Sequence, residues 1–183
     1  MRLHTGRFID TESPTFTLCG RDTIQYEVSV DNTRVEAVFR DTAGGERFRT
    51  LTKRYFRDND AVILVYDVQS NFTLTALRGW IEEIEVNSNS TQFVWALFGN
   101  KCDLDPAGFE QGILDDYRLK LETNLSFFMS AKTGLNVKAG FESVVASLHR
   151  TAVSNWRRKS CLIGSDAQIS FQTYNSESQT QCC

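Results

Sequence analysis

The chain has 183 residues, 41% of them hydrophobic and 23% charged, proportions that suit one compact globular domain followed by a tail. Its formal net charge of −3 offers no electrostatic footing for nucleic acid, which is excluded as an expected partner. No apolar run nears the ~20 residues of a membrane span, and the opening Met1-Arg2-Leu3-His4-Thr5-Gly6 lacks the apolar centre of a secretory leader. The five cysteines include no Cys-x-x-Cys pair, so neither a zinc site nor a disulfide framework is expected, and a reducing, cytosolic compartment is the default.

Residues 1–23 show no clear period. From Ile24 the pattern alternates, with Ile24, Tyr26, Val28 and Val30 on one face. Asp31-Asn32 then turns the chain into Val35, Ala37 and Phe39, which predicts an antiparallel hairpin. Thr50 to Arg57 reads as a short irregular helix. Ala61 to Tyr66 is continuously apolar and β-branched, the pattern of a parallel strand covered on both faces. Leu77, Trp80, Ile81 and Ile84 recur at helical spacing, and Phe93 to Phe98 predicts the next buried strand. Phe109, Ile113, Leu114 and Tyr117 form a weaker helical stripe, Leu125 to Met129 a last short strand, and Phe141, Val144, Val145 and Leu148 a closing helix extended by Trp156. Arg157-Arg158-Lys159 suits a helix C-terminus. From Ser160 the composition turns to Ser, Gln and Thr, so the expected division is a domain over 1–159 and a flexible tail over 160–183. Strands alternating with helices predict an α/β fold with a mostly parallel sheet and one antiparallel edge.

Three loops carry the chemistry. Asp41 ends the strand that contains Val35 to Phe39, and Ala43-Gly44-Gly45 follow with almost no side chain to block backbone approach. An acid at a strand end before exposed amides suits a metal ion and a terminal phosphate. Asn100-Lys101-Cys102-Asp103 follows the Phe93–Phe98 strand, at the edge where open α/β sheets bind ligands. An ionised Asp103 accepts two hydrogen bonds at once from a ring N–H and an adjacent amino group, a pair that guanine presents and adenine does not. The Lys101 stem is long enough to lie over a base, and Asn100 can tie neighbouring loops together. Ser130-Ala131-Lys132 follows the next strand, and its small residues let main-chain amides reach a base oxygen.

These segments, in this order and approximate spacing, resemble the Ras superfamily of small GTPases. Glu46-Arg47-Phe48-Arg49-Thr50, Tyr55-Phe56-Arg57, Leu64-Val65-Tyr66-Asp67 and the terminal Cys182-Cys183 resemble its Rab branch. The likeness covers residues 7–159. It implies a P-loop NTPase-like small GTPase fold and a guanine-nucleotide switch in vesicle-mediated membrane traffic, with GTP or GDP and Mg2+ as ligands. Asn100, Lys101, Asp103, Ser130, Ala131 and Lys132 would hold the base, while Asp41 and Gly44 would meet the terminal phosphate and, indirectly for Asp41, the magnesium. The implied partners are Rab effectors, an exchange factor, a GTPase-activating protein, Rab escort protein and GDP-dissociation inhibitor. Double prenylation of Cys182 and Cys183 would anchor the protein to the cytoplasmic face of an endomembrane or vesicle, and without it the protein would be cytosolic.

Three departures qualify the resemblance. No Gly-x-x-x-x-Gly-Lys-Ser/Thr occurs in the 183 residues, so the first strand and phosphate-binding loop are expected to be missing from an N-terminally incomplete domain. Uncovering neighbours of a central strand costs ~1.5–3 kcal/mol per buried side chain against a net stability of ~5–15 kcal/mol. Gly45 stands where the family has its water-positioning Gln, leaving no catalytic side chain there. Counting back from Asp41 puts Leu18 at the magnesium-binding threonine of the first switch, and a shift puts Thr17 or Thr15 there. The rival readings are a nucleotide-incompetent Rab-like interaction module and an incomplete gene product.

Overall fold

The computed structural model describes residues 8, 23–40, 42, 56, 59–88, 93–104 and 108–162, with side chains as far as 154. In chain order these form β1 (Thr23–Val30), β2 (Thr33–Arg40), β3 (Ala61–Asp67), α1 (Asn71–Asn87), β4 (Val94–Asn100), α2 (Gln111–Lys120), β5 (Ser126–Phe128) and α3 (Val137–Leu162). The expected α/β architecture is present, with a parallel β3-β4-β5 ladder and an antiparallel β1-β2 pair. Among the described residues the two ladders are separate sheets rather than one continuous sheet.

Local chemistry explains the hairpin. Asp31 and Asn32 adopt φ of 48° and 63°, the left-handed values that a two-residue turn needs and that Asp and Asn tolerate best. The register runs from Val30↔Thr33 to Thr23↔Arg40. Ile24, Tyr26 and Val28 are half-buried while Thr23, Gln25 and Glu27 are exposed, as the alternation predicts. Phe39 meets Phe141 of α3 edge-on at 5.0 Å, Tyr26 donates to Glu142 at 3.0 Å, and Arg150 reaches Asp31 at 3.3 Å.

The parallel ladder is sandwiched by helices. On one face Leu64, Tyr66 and Leu97 pack with Leu74, Leu77 and Ile81 of α1 and Leu114 of α2. On the other, Ala96 and Phe98 pack with Met129, Val137 and Val144, joined by Ile63 and Phe141. Alternate residues of β4 therefore serve opposite cores, which is why its sequence is apolar without a break. Strand β3 departs from that expectation at Val65, which is 58% exposed; no strand is paired to its outer edge among the described residues. Of the helix expected over Thr50 to Arg57, only Phe56 is described, a buried residue of the α1-side core.

Helix α3 runs to Leu162, so the division expected after residue 159 falls inside a helix. Contacts separate the chain into Met1–Arg150 and Thr151–Cys183. None of the described helices is long and apolar enough to cross a membrane.

Candidate functional site

The register of the parallel ladder assembles the site. Asp67 lies opposite Asn100, and Gly99 opposite Phe128, so the segments that leave β3, β4 and β5 emerge at one edge. Asn100 holds them together. Its carbonyl accepts the Val68 N–H at 3.0 Å, and its side-chain Oδ1 accepts the Ala131 N–H at 2.9 Å. Two further main-chain bonds join the same segments, from Met129 to Gly99 at 2.8 Å and from Cys102 to Met129 at 3.2 Å.

Asp103 is placed by Ser130. The fully buried Ser130 donates its hydroxyl to Asp103 Oδ1 at 2.5 Å and accepts the Thr133 N–H at 3.0 Å. That hydrogen bond holds the Asp103 carboxyl below its ordinary value, assisted by a backbone donor and by the charge of Lys132. The carboxylate is exposed and charged, an acceptor fixed in direction at the sheet edge. Burial raises the pKa of the adjacent Cys102 thiol, with the Asp103 charge acting in the same direction. Lys132 lies exposed in the same turn.

Lys101 takes φ of 66°, a conformation costing a non-glycine residue ~1–2 kcal/mol and held here by its bonded neighbours. Its Nζ sits 2.6 Å from Asp67 Oδ2. Sequence reasoning named Asp67 as a family mark and gave it no role. The signal was present in the position itself, an acid at the carboxyl end of a strand that neighbours the Lys101 strand.

Beneath these loops lies an aromatic trio that the sequence reading also missed. Tyr66 stacks on Phe109 at 6.0 Å, and Phe109 meets Phe128 edge-on at 5.6 Å. The Tyr66 hydroxyl would lie 2.8 Å from a Cβ on Gly99. Burial raises its pKa.

Asn100, Lys101, Asp103, Ser130, Ala131 and Lys132 are thus on neighbouring loops. Thr17, Asp41, Gly44, Gly45, Cys182 and Cys183 lie outside the described residues. Among the described residues, no cluster of three or more His, Cys, Asp or Glu side chains could hold a metal ion.

Residues 1–150 match the sequence model of the Ras family. The chain is 42% identical to the Ras-related protein Rab-26 of Drosophila melanogaster over 122 residues, 66% of this chain and 31% of that protein. It is 35% identical to the Ras-related protein RAB1BV of Beta vulgaris over 162 residues, covering 84% of this chain and 73% of the relative. Against the Ras-related protein Rab5 of Nicotiana tabacum the identity is 35% over 152 residues, 82% of this chain and 73% of that one. This chain therefore spans about a third of the fly protein and about three quarters of the two plant proteins.

Proposed function

This chain belongs to the Ras family as a Rab-like small GTPase, and on that premise we propose that the loops after β4 and β5 read a guanine base for a switch in vesicle-mediated membrane traffic. The observation that supports this most directly is the Asp103 carboxylate, oriented by Ser130 at the carboxyl edge of the sheet. Guanine brings a ring N–H and an amino group to one carboxylate. Adenine would leave that carboxylate desolvated and unpaired, at a cost of roughly 3 kcal/mol or more. The Lys101 stem covers one face of the base, and the small Ser130 and Ala131 let the main chain approach its oxygen.

The same reading assigns GTP and GDP as ligands, with Asp41 and Gly44 toward the terminal phosphate. Magnesium would sit near Asp41 and Thr17 once a phosphate-binding loop holds the diphosphate, where a bound ion neutralises phosphate charge. In a chain that also carries a Gly-x-x-x-x-Gly-Lys-Ser/Thr loop, Gly45 would leave no side chain to orient an attacking water, so hydrolysis would be slow and the GTP form long-lived. Effectors, exchange and activating factors, escort protein and dissociation inhibitor are the partners proposed. Lipids on Cys182 and Cys183 would provide the hold on an endomembrane, since two chains anchor stably where one does not.

The test is Asp103→Asn, which exchanges a pure acceptor for an acceptor and a donor. Xanthine carries a carbonyl where guanine has its amino group, so the variant should come to prefer xanthine nucleosides in competition. Unchanged guanine preference sinks the reading. A second reading, a Rab-like interaction module that does not switch, is favoured by Gly45, which leaves no side chain to position an attacking water. It predicts partner binding that is indifferent to added guanine nucleotide.

A further inference from the structure

We propose that Asp67 is a positioning residue for the base loop, holding the Lys101 side chain in the pose from which its stem covers the base. The proposal rests on the guanine reading above and adds a residue outside the two base-reading segments. In-register pairing sets Asp67 opposite Asn100, so the next residue, Lys101, leaves the sheet beside the Asp67 carboxylate. The contact is 2.6 Å, with the Asp67 side chain 20% exposed and that of Lys101 54%.

The carboxylate is itself held before it meets the lysine. Asp67 Oδ1 accepts the Gln69 N–H at 2.9 Å. The Asp67 N–H donates to Thr73 Oγ1 at 2.9 Å, and Thr73 in turn belongs to the first turn of α1. Lys101 is equally fixed at its root, because the carbonyl of Asn100 and the amide of Cys102 are both engaged. With root and tip fixed, its methylene stem keeps one course past the Asn100–Asp103 loop.

That fixation has a consequence for binding. A loose lysine loses rotamer freedom when a ligand packs against it, and ordering one such side chain weakens binding by about three- to ten-fold. Asp67 orders the lysine in the free protein instead. As a half-exposed ion pair it adds little to folding stability, so its effect should be seen in ligand affinity.

The experiment compares the full chain with Asp67→Asn, Lys101→Met and the double variant by NMR titration with GDP to millimolar concentration. Asparagine keeps an oxygen for the Gln69 amide, removes the charge and puts an NH2 donor where the second oxygen met Lys101. Asp67→Asn should weaken GDP by about three- to ten-fold, shift the Lys101 ammonium signal of nitrogen-labelled protein, and have no further effect on Lys101→Met. Wild-type affinity in Asp67→Asn, or an equal loss in the Lys101→Met background, overturns the positioning role and leaves the guanine reading intact. Failure of the wild-type chain to bind GDP at all overturns that reading and this proposal together.

Discussion

Ser130, fully buried, donates its hydroxyl to the Asp103 carboxylate across 2.5 Å, joining residues that lie 27 positions apart. The bond makes one unit of the loops after β4 and β5. It also favours the charged form of the Asp103 carboxyl, because a carboxylate that accepts a hydrogen bond ionises more readily. Structural and chemical roles therefore meet in one hydroxyl.

The first prediction follows from that bond. The carboxyl of Asp103 is held below its ordinary 3.8, first by Ser130. A depressed carboxyl contributes stability above its unfolded value and loses it as pH falls through the folded one. Guanine binding should therefore persist to lower pH than a carboxyl without that hydrogen bond would allow. In Ser130→Ala the acid limb should move to higher pH. The variant also loses the Thr133 contact, at about 1 kcal/mol of stability. Superimposable pH profiles for the two proteins would show that the hydroxyl does not hold the carboxylate.

Much of this architecture was legible in the residues, and the exceptions have a common cause. The hairpin could be read because alternation and an Asp31-Asn32 turn are local signals. Helices α1 and α3 could be read because Leu77, Ile81 and Ile84, then Phe141, Val144 and Leu148, repeat at helical spacing and pack into the cores. The Asn100–Asp103 and Ser130–Lys132 segments were found because each follows a predicted strand. What stayed hidden depends on pairing between distant strands. The Asp67–Lys101 ion pair needs the β3-β4 register, and the Tyr66, Phe109 and Phe128 cluster needs three separate segments to converge. The exposure of Val65 could not be read either, because an apolar strand looks the same whether or not a neighbour covers each of its residues.

A second prediction concerns Tyr66, which is 2% exposed and whose hydroxyl has no hydrogen-bond partner among the described residues. A buried, unpaired hydroxyl costs ~1–3 kcal/mol of desolvation. Tyr66→Phe removes it and keeps the ring against Phe109, so urea denaturation should show equal or greater stability, by about 1 kcal/mol. A loss of that size would reveal a partner for the hydroxyl.

A third prediction contrasts two glycines. A Cβ on Gly99 would lie 2.8 Å from a Phe128 ring carbon and 2.8 Å from the Tyr66 hydroxyl, between two packed rings. On Gly140 it would lie 2.9 Å from the terminal methyl of Met129, which can swing aside, and 3.3 Å from the buried Phe98 ring, which must give by a few tenths of an ångström. Gly99→Ala should therefore cost ~1–3 kcal/mol through overpacking. Gly140→Ala sits in α3 and gains up to ~1 kcal/mol of helix propensity to set against the shift of Met129. Thermal unfolding of both variants checks the order. Equal losses would mean that the aromatic trio yields as easily as a methionine.

The last prediction concerns what the phosphates add. No Gly-x-x-x-x-Gly-Lys-Ser/Thr segment occurs among the 183 residues, so no such lysine and amide cradle can grip a diphosphate in a protein made of them. Each charge-assisted hydrogen bond of that cradle is worth ~1.5–3 kcal/mol, and every 1.4 kcal/mol is about tenfold in affinity. Base contacts alone must also offset the entropy of holding a ligand, so binding should be weaker than about 1 μM, the affinity that −8.2 kcal/mol supplies. Guanosine and GDP should then bind within about threefold of each other, because the diphosphate finds no dedicated partners. Magnesium should make little difference to either. Calorimetric titration of the 183-residue protein with guanosine, GDP and adenosine, with and without magnesium, is the measurement. Magnesium-dependent GDP binding about a hundredfold or more tighter than guanosine would mean that other residues of this chain, the Asp41–Gly45 stretch foremost, grip the phosphates unaided.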